Sequence, residues 1–497
     1  MMDKNKGWVS MLLLAAVLLT VQVQAKEKKW NFLIIIVDDL GQMDISPNNP
    51  NTFYKTPNLQ KLAEQSVRFS QNYSASPVCS PARVALMTGR HPARINATDW
   101  FHNEEGQGRA EMYKWAKDIQ HMPNEEITLA EALKPKGYKT AFLGKWHLGH
   151  NEKYWPEHQG FDINVGGFWS GSPRGTNATL GDGYFAPHNN PRLIDGVDGE
   201  YLTVRLSNDA IALLDDFSAK DDPFLMVLSY YTVHIPLNAP KETIVKYDEL
   251  VVRKDLVGTY IEEEQIWPVE EIRTVRQNQT HPTYAAMVEH MDQNIGRVML
   301  QLEKSGLADN TIVFFTSDNG GLSTSEGSPT SNLPFRGGKG WIYEGGIRVP
   351  FLVRWPGVGK AGYTNSAAVT GLDLFPTIME ISGERKTDVD GQSLVSKIKG
   401  EVNSTEMPLY WHYPHYSNQG GMPASAVRLG DYKLIQRLED GQYHLYNLMS
   451  DPEEKNDLST ELPEKALQMK SMLLSWYKEV DAKFLREKDG KIPWSPY

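Results

Sequence analysis

The chain has a single cysteine, Cys79, among 497 residues. One thiol excludes an intramolecular disulfide framework and any zinc site built from several thiolates. Long apolar runs are scarce as well. The longest, Met11 to Val21, has 11 residues, short of the roughly 18 that a membrane-spanning helix needs. Basic charge is in deficit: 51 Lys and Arg face 62 Asp and Glu, a net −11 at pH 7. That balance argues against a broad nucleic-acid or anionic-membrane face. It leaves room for an anionic substrate in a locally basic pocket. No fixed-period repeat or low-complexity tract is present. What remains is a globular composition, 40% hydrophobic, with length for two to four domain-sized units or for one large α/β unit with an appendage.

The N-terminus reads as an export leader. Lys4 and Lys6 precede the apolar run, and Val23-Gln24-Ala25 supplies small residues at a cleavage position. Residues 1–25 are therefore expected to be a signal peptide, with the mature chain starting near Lys26 and not spanning a membrane. A periplasmic location is expected, with secretion as the alternative. No cysteine follows the apolar run, so a bacterial lipid anchor is not available.

Near-continuous apolar runs of strand length recur at 31–37, 140–143, 224–228, 311–315 and 350–353. Runs without alternation suit strands buried on both faces of a parallel sheet. Helical patterns lie between them. Thr56-Pro57 opens one with Leu59, Leu62, Ala63 and Val67 on its stripe, Thr128 opens another, and a long one covers about 284–304. Strands alternating with helices predict a doubly wound α/β domain. From about residue 401 the segments become short and turn-separated, and a last helix covers about 461–480. The expected division is a catalytic domain over 26–400 and a smaller α+β subdomain with an antiparallel sheet over 401–497.

Polar groups gather where the predicted strands end. The first strand runs into Asp38-Asp39-Leu40-Gly41, and the strand at 311 into Ser317-Asp318-Asn319-Gly320-Gly321. In open α/β sheets ligands bind beyond the carboxyl ends of strands. If these strands are neighbours, four oxygen-bearing side chains converge, a donor set that favours Ca²⁺ or Mg²⁺. The alternative for either motif alone is ordinary Asp/Asn-Gly turn chemistry. Lys145 and His147 follow another strand, His234 a third, and Lys339 precedes the strand at 350. A lone Lys or His in a loop is usually solvated surface. Together, at strand ends of an acidic protein, these groups outline a small anion pocket with acid–base groups.

Cys79 lies in Ser76-Pro77-Val78-Cys79-Ser80-Pro81-Ala82-Arg83, with Pro81 suiting a first helical position. A cysteine at a helix N-terminus suits a thiolate nucleophile or metal ligand. A buried structural cysteine is the alternative.

Cys79-Ser80-Pro81-Ala82-Arg83 followed by Met87-Thr88-Gly89-Arg90 resembles the signature of the formylglycine-dependent (type I) sulfatases, of arylsulfatase-like, bacterial polysaccharide-sulfatase type. Val37 to Gly41, Gly144 to Gly149, Ser317 to Gly321, Glu344-Gly345-Gly346 and Asp451 to Leu458 resemble further landmarks of that family, in family order. The resemblance runs from about residue 30 to 485. It implies an alkaline-phosphatase-like catalytic domain, with a mixed, mostly parallel sheet between helices, and a C-terminal subdomain that helps to close the pocket. It also implies a formylglycine aldehyde made from Cys79 by a maturation enzyme, and one Ca²⁺ held by Asp38, Asp39, Asp318, Asn319 and residue 79. A hydroxyl of the hydrated aldehyde would attack sulfur, with Asp318 as base and Arg83, Lys145 and Lys339 neutralising the sulfuryl group. His234, with Lys339, would protonate the leaving oxygen. His147 would deprotonate the second hydroxyl to expel sulfate.

Within that reading, export and a pocket rimmed by aromatics point to a sulfated saccharide as substrate. Candidate recognition residues are His102, Trp169, Arg174, His412 and His415, with Trp100, Phe101, Trp411, Tyr413 and Tyr416 beside them; the alternative for each aromatic is core packing. Two rivals share the fold. A phosphomonoesterase or phosphonate hydrolase would carry a Ser or Thr nucleophile and extra His ligands. A calcium-stabilised carbohydrate-binding homologue would have lost Cys79, Arg83 or Lys145.

Overall fold

A computed structural model describes residues 29–102, 113, 116–174, 182–194, 196–263, 272–384, 388–401, 406–487 and 490–491. The expected leader at 1–25 lies outside the described residues. Among the described residues no helix is long and apolar enough to cross a membrane.

Fourteen strands are named in chain order. β1 is Asn31–Val37, β2 Val67–Tyr73, β3 Lys139–Gly144, β4 Ile163–Val165, β5 Phe224–Ser229, β6 Tyr260–Glu262 and β7 Thr274–Arg276. β8 is Thr311–Ser317, β9 Phe351–Arg354, β10 Thr364–Thr370, β11 Leu409–Tyr413, β12 Ala424–Leu429, β13 Tyr432–Arg437 and β14 Tyr443–Asn447. Eight of them form one sheet, in the order β10-β2-β9-β8-β1-β5-β3-β4. Pairing is parallel except where β9 meets β2 and β8. The mixed, mostly parallel sheet is the expected one. β1 is buried along its whole length because both faces are covered, and its Ile and Leu side chains contribute roughly 1.5–3 kcal/mol each by leaving water.

Helices pack in two groups. Pro57–Glu64, Leu202–Ser218 and Lys241–Arg253 pack on Pro282–Lys304, whereas Cys79–Thr88 and Leu129–Leu133 pack on Leu374–Ile381. Two readings are corrected in detail. Val67 opens β2 instead of extending the stripe of the first helix. The helix at the cysteine starts at Cys79 itself, with Val78 as N-cap, so Pro81 is its third residue.

β11 to β14 form a separate antiparallel sheet. The helix Pro463–Glu479 covers it, and Leu434, Leu445, Met469, Leu473 and Tyr477 share one apolar cluster.

Candidate active site

The parallel register of β1 and β8 sets Val37 opposite Ser317, and that of β1 and β5 sets Ile36 opposite Ser229. The residues that follow therefore emerge side by side at one edge of the sheet. Asp38, Asp39, Asp318 and Asn319 are all buried there. Asp39 stands at φ 59°, in the left-handed region, and so does His147. Strained backbone of this kind is held only where the surroundings over-determine it.

Cys79 faces these acids. Its Sγ lies 3.6 Å from Asp38 Oδ1 and 4.0 Å from Asp39 Oδ1. Lys145 Nζ is 2.6 Å from Asp38 Oδ2, and Lys339 Nζ is 2.8 Å from Asp39 Oδ2. Arg83, one helical turn beyond Cys79, pairs through Nε with Asp318 Oδ2 at 2.8 Å. Its Nη1 donates to the Lys145 carbonyl and to Ser229 Oγ, both at 2.7 Å. His234 Nε2 is 3.8 Å from Asp39 Oδ2, and its Nδ1 donates to the Ile235 carbonyl. The ten residues expected at the reacting centre are thus brought together by four strand ends, one helix start and the loop before β9.

The electrostatics follow from burial. Burial, with the like charges of Asp318 and Asp39, pushes Asp38 well above the usual carboxylate range against the pull of Lys145. Burial acts on Asp39 too, but Lys339, His234 and Lys145 hold it below that range. Asp318 is likewise held low, by Arg83 and Lys145. Burial and the Lys145 and Arg83 cations keep His147 neutral. Its Nε2 donates to the Phe101 carbonyl at 3.1 Å, and its Nδ1 has no partner among the described residues. Gly171 permits this: a Cβ there would sit 2.4 Å from His147 Cε1. Burial lowers His234 to about 3.

The thiolate expected from the helix position is corrected. Burial pushes the Cys79 thiol up to about 12, and the nearby cations only partly offset it. Desolvation of the enclosed thiol outweighs both the helix terminus and the nearby cations, and Asp38 and Asp318 add to the rise.

A cation fits these residues. Ligand atoms of Asp38, Asp39, Cys79 and His234 lie within 4.8 Å of one another. Asn319 Oδ1 is buried beside them with no partner among the described residues, while its Nδ2 donates to Asp39 Oδ1 at 2.8 Å. An oxygen-rich set with an orphaned amide oxygen suits a hard divalent ion.

A cavity of about 390 Å³ opens over Cys79. Trp100, His102, His147, Trp169 and Arg174 line it with His234 and Lys339. The expected His102, Trp169 and Arg174 are therefore at the pocket. His412 and His415 are not. His412 bonds Ser425 Oγ and the Lys483 carbonyl, both at 2.7 Å, and packs on Trp476, Tyr477 and Phe484. His415 Nε2 meets Thr98 Oγ1 at 2.8 Å. Trp411, Tyr413 and Tyr416 are core residues too. These side chains complete the packing of the small sheet, where a strand's inward face looks like an aromatic rim in sequence. Besides Ser170, Gly171 and Ser172 next to Trp169, the pocket holds Glu326, Asn418 and Gln419, which the sequence did not single out. Glu326 Oε1 accepts from Asn418 Nδ2, and Oε2 from Gln419 Nε2, each at 3.3 Å. Their only sequence signal is a polar turn following β8 and the loop after β11.

The sulfatase family model matches residues 30–384, and the C-terminal model of N-sulphoglucosamine sulphohydrolase matches residues 337–479. The chain belongs to the sulfatase family and is a sulfuric ester hydrolase. It is 30% identical over 522 residues to a sulfatase of Formosa agariphila, covering 90% of this chain and 89% of the relative. It is 30% identical over 463 residues to the steryl-sulfatase of Rattus norvegicus, covering 77% and 72%. The crystal structure of Ps i-CgsB in complex with k-i-k-neocarrahexaose is similar at 27% identity and TM-score 0.70, over 94% of each chain.

Proposed function

We propose that this hydrolase removes sulfate from carbohydrates outside the cytoplasm, with residue 79 in the formylglycine form and calcium beside it. The observation that carries the mechanism is the placement of Cys79, its Sγ 3.6 Å from Asp38 Oδ1 and 4.0 Å from Asp39 Oδ1 with Lys145 and Lys339 paired to those same acids. A thiol pushed up to about 12 is a poor nucleophile at neutral pH, yet it stands among the acids and cations of the site. An aldehyde at this position, once hydrated, supplies the hydroxyl nucleophile that the thiol cannot. Calcium, when bound, supplies charge neutralisation for the carboxylates and for the sulfate oxygens.

The remaining work falls to side chains whose geometry is described above. Lys145 and Lys339 present their cations at Asp38 and Asp39, and with Arg83 they stabilise the charge on the sulfuryl group. Asp318, kept ionised by Arg83, accepts the proton of the attacking group. Lys339 and His234 stand together at Asp39 and serve the leaving oxygen. His147 keeps the bare lone pair of Nδ1 and accepts the proton whose loss releases sulfate.

The carbohydrate reading rests on the oligosaccharide bound by Ps i-CgsB and on the pocket. Trp100 and Trp169 offer planes for sugar faces, and Arg174 and His102 offer donors to hydroxyl or acid groups. Export rests on the leader expected over residues 1–25.

Mass spectrometry of the residue-79 peptide from the native source tests the nucleophile. The peptide is expected with CHO in place of CH₂SH; an active enzyme with an intact thiol overturns the reading. Activity is expected to fall on chelation with EGTA and to return with Ca²⁺. Full activity after chelation overturns the calcium assignment. Defined sulfated oligosaccharides compared with an aryl sulfate, a steryl sulfate and a phosphate monoester test the substrate. The saccharides are expected to give the highest kcat/KM.

A further inference from the structure

Lys433, Glu344 and Glu454 come from β13, from the start of the short helix Glu344–Ile347 before β9 and from the loop after β14, yet all three side chains are 0% exposed. Lys433 Nζ lies 2.8 Å from Glu454 Oε1 and 3.2 Å from Glu344 Oε1. It also donates to the Ile342 carbonyl at 2.7 Å. Glu454 Oε2 accepts the Glu344 N–H at 2.6 Å, and Tyr73 donates its hydroxyl to Glu344 Oε2 at 2.7 Å. Burying such a cluster seldom stabilises a fold more than apolar residues of equal volume. Its use must be sought in the geometry that it holds.

That geometry is the stretch 336–347, which carries Lys339. Gly337, Gly338, Gly340, Gly345 and Gly346 leave it few side chains of its own for packing. Its backbone crosses itself closely: a Cβ on Gly346 would sit 2.0 Å from the Trp341 carbonyl oxygen. The ends are tied from outside. Arg336 pairs with the Glu263 carboxylate and donates to the Glu454 carbonyl at 3.0 Å. Ile342 and Glu344 are tied to Lys433 and to the Glu454 side chain. Glu454 thus grips the stretch at both ends, with Lys339 between them reaching Asp39 at 2.8 Å.

We propose that Lys433 and Glu454 are positioning residues for Lys339, so that the small antiparallel sheet reaches the reacting centre through this buried cluster. The inference rests on the reading of Lys339 as a cation that stabilises the sulfuryl group. A displacement of about 1 Å at such a group costs on the order of 10²-fold in rate.

A double-mutant cycle on kcat, with p-nitrophenyl sulfate at saturation, tests it. K433M is expected to lose about 10- to 100-fold, and K433M/K339A is expected to be no slower than K339A alone, because the lost position no longer matters. E454Q, close in shape to the native residue, runs the same cycle with K339A if K433M does not fold. Losses that multiply in the cycle overturn the proposal, since a merely smaller folded fraction multiplies with any other loss. Wild-type kcat in both K433M and E454Q overturns it as well. Wild-type kcat in K339A instead overturns the reading of Lys339, and so separates the two failures.

Discussion

His147 and His234 at the end of the parallel sheet and His412 and His415 in the small antiparallel sheet are all largely withdrawn from water. Burial lowers both His234 and His412 to about 3. His147 and His412 differ in how their ring nitrogens end, while both nitrogens of His234 meet protein groups, Ile235 and Asp39. Both nitrogens of His412 end on fixed protein groups, Ser425 and Lys483. His147 lines the pocket, closes Nε2 on Phe101 and has no partner for its buried Nδ1 among the described residues. Burial or a shifted proton affinity is therefore a poor mark of function here; an unclosed ring nitrogen on a residue that lines the cavity is the better one.

The largest effect that can break this comparison is at Cys79. C79A is expected to cost on the order of 10⁵-fold or more in kcat, as loss of a nucleophile does, with an unfolding midpoint close to that of the native protein. Residual activity near the native rate would detach the pocket from the chemistry. Next comes H147A, for which kcat should fall about 10²- to 10⁴-fold, the range of a general base. Its urea midpoint should barely move; a large loss of stability with normal turnover would make His147 another core histidine.

H412A should do the reverse. It is expected to remove about 2–3 kcal/mol of stability through two lost hydrogen bonds and lost packing, while kcat per folded molecule stays within about twofold of native. A specific loss of turnover would return His412 to the pocket.

The smallest effect is in the pH profile of stability. His412 at about 3 and His91 at about 4 lie below the ordinary 6.5, so the unfolded chain takes up protons first. Stability is full above 6.5 and drains as the pH falls towards those values, by about 1.4 kcal/mol per pH unit for each imidazole. Asp44, pushed up by burial to about 6, works in the opposite sense between its ordinary value and about 6. Asp373 at about 6, Glu454 at about 7 and Asp118 at about 8 oppose the imidazoles as well, so what is read is the difference: from pH 7 to 5 the urea midpoint of the native protein should fall relative to that of H412Q. An equal slope in H412Q would remove His412 from the account.

The five apolar runs are all strands of the large sheet, because strands covered on both faces must be apolar throughout. β2 and β10 escaped notice because they are only partly buried and carry polar side chains, as in Val67–Tyr73 and Thr364–Thr370. The acids at 38, 39 and 318 were legible for a related reason: charge directly after a buried strand has to be received by something. Glu326, Asn418 and Gln419 had no such signal, since polar residues in loops are the ordinary case.

What the sequence determined by itself is the order of sheet-forming runs, the family landmarks and the lone cysteine among them. Only the tertiary structure decided which charges meet. The register of β1 against β8 sets Asp38 and Asp39 beside Asp318 and Asn319. Closure of the small sheet's core takes His412 and His415 away from the pocket. Burial of Cys79 raises a thiol that its helix position alone would have lowered. Proton affinity and partner choice depend on what surrounds a side chain in three dimensions, and that environment is assembled from residues hundreds of positions apart.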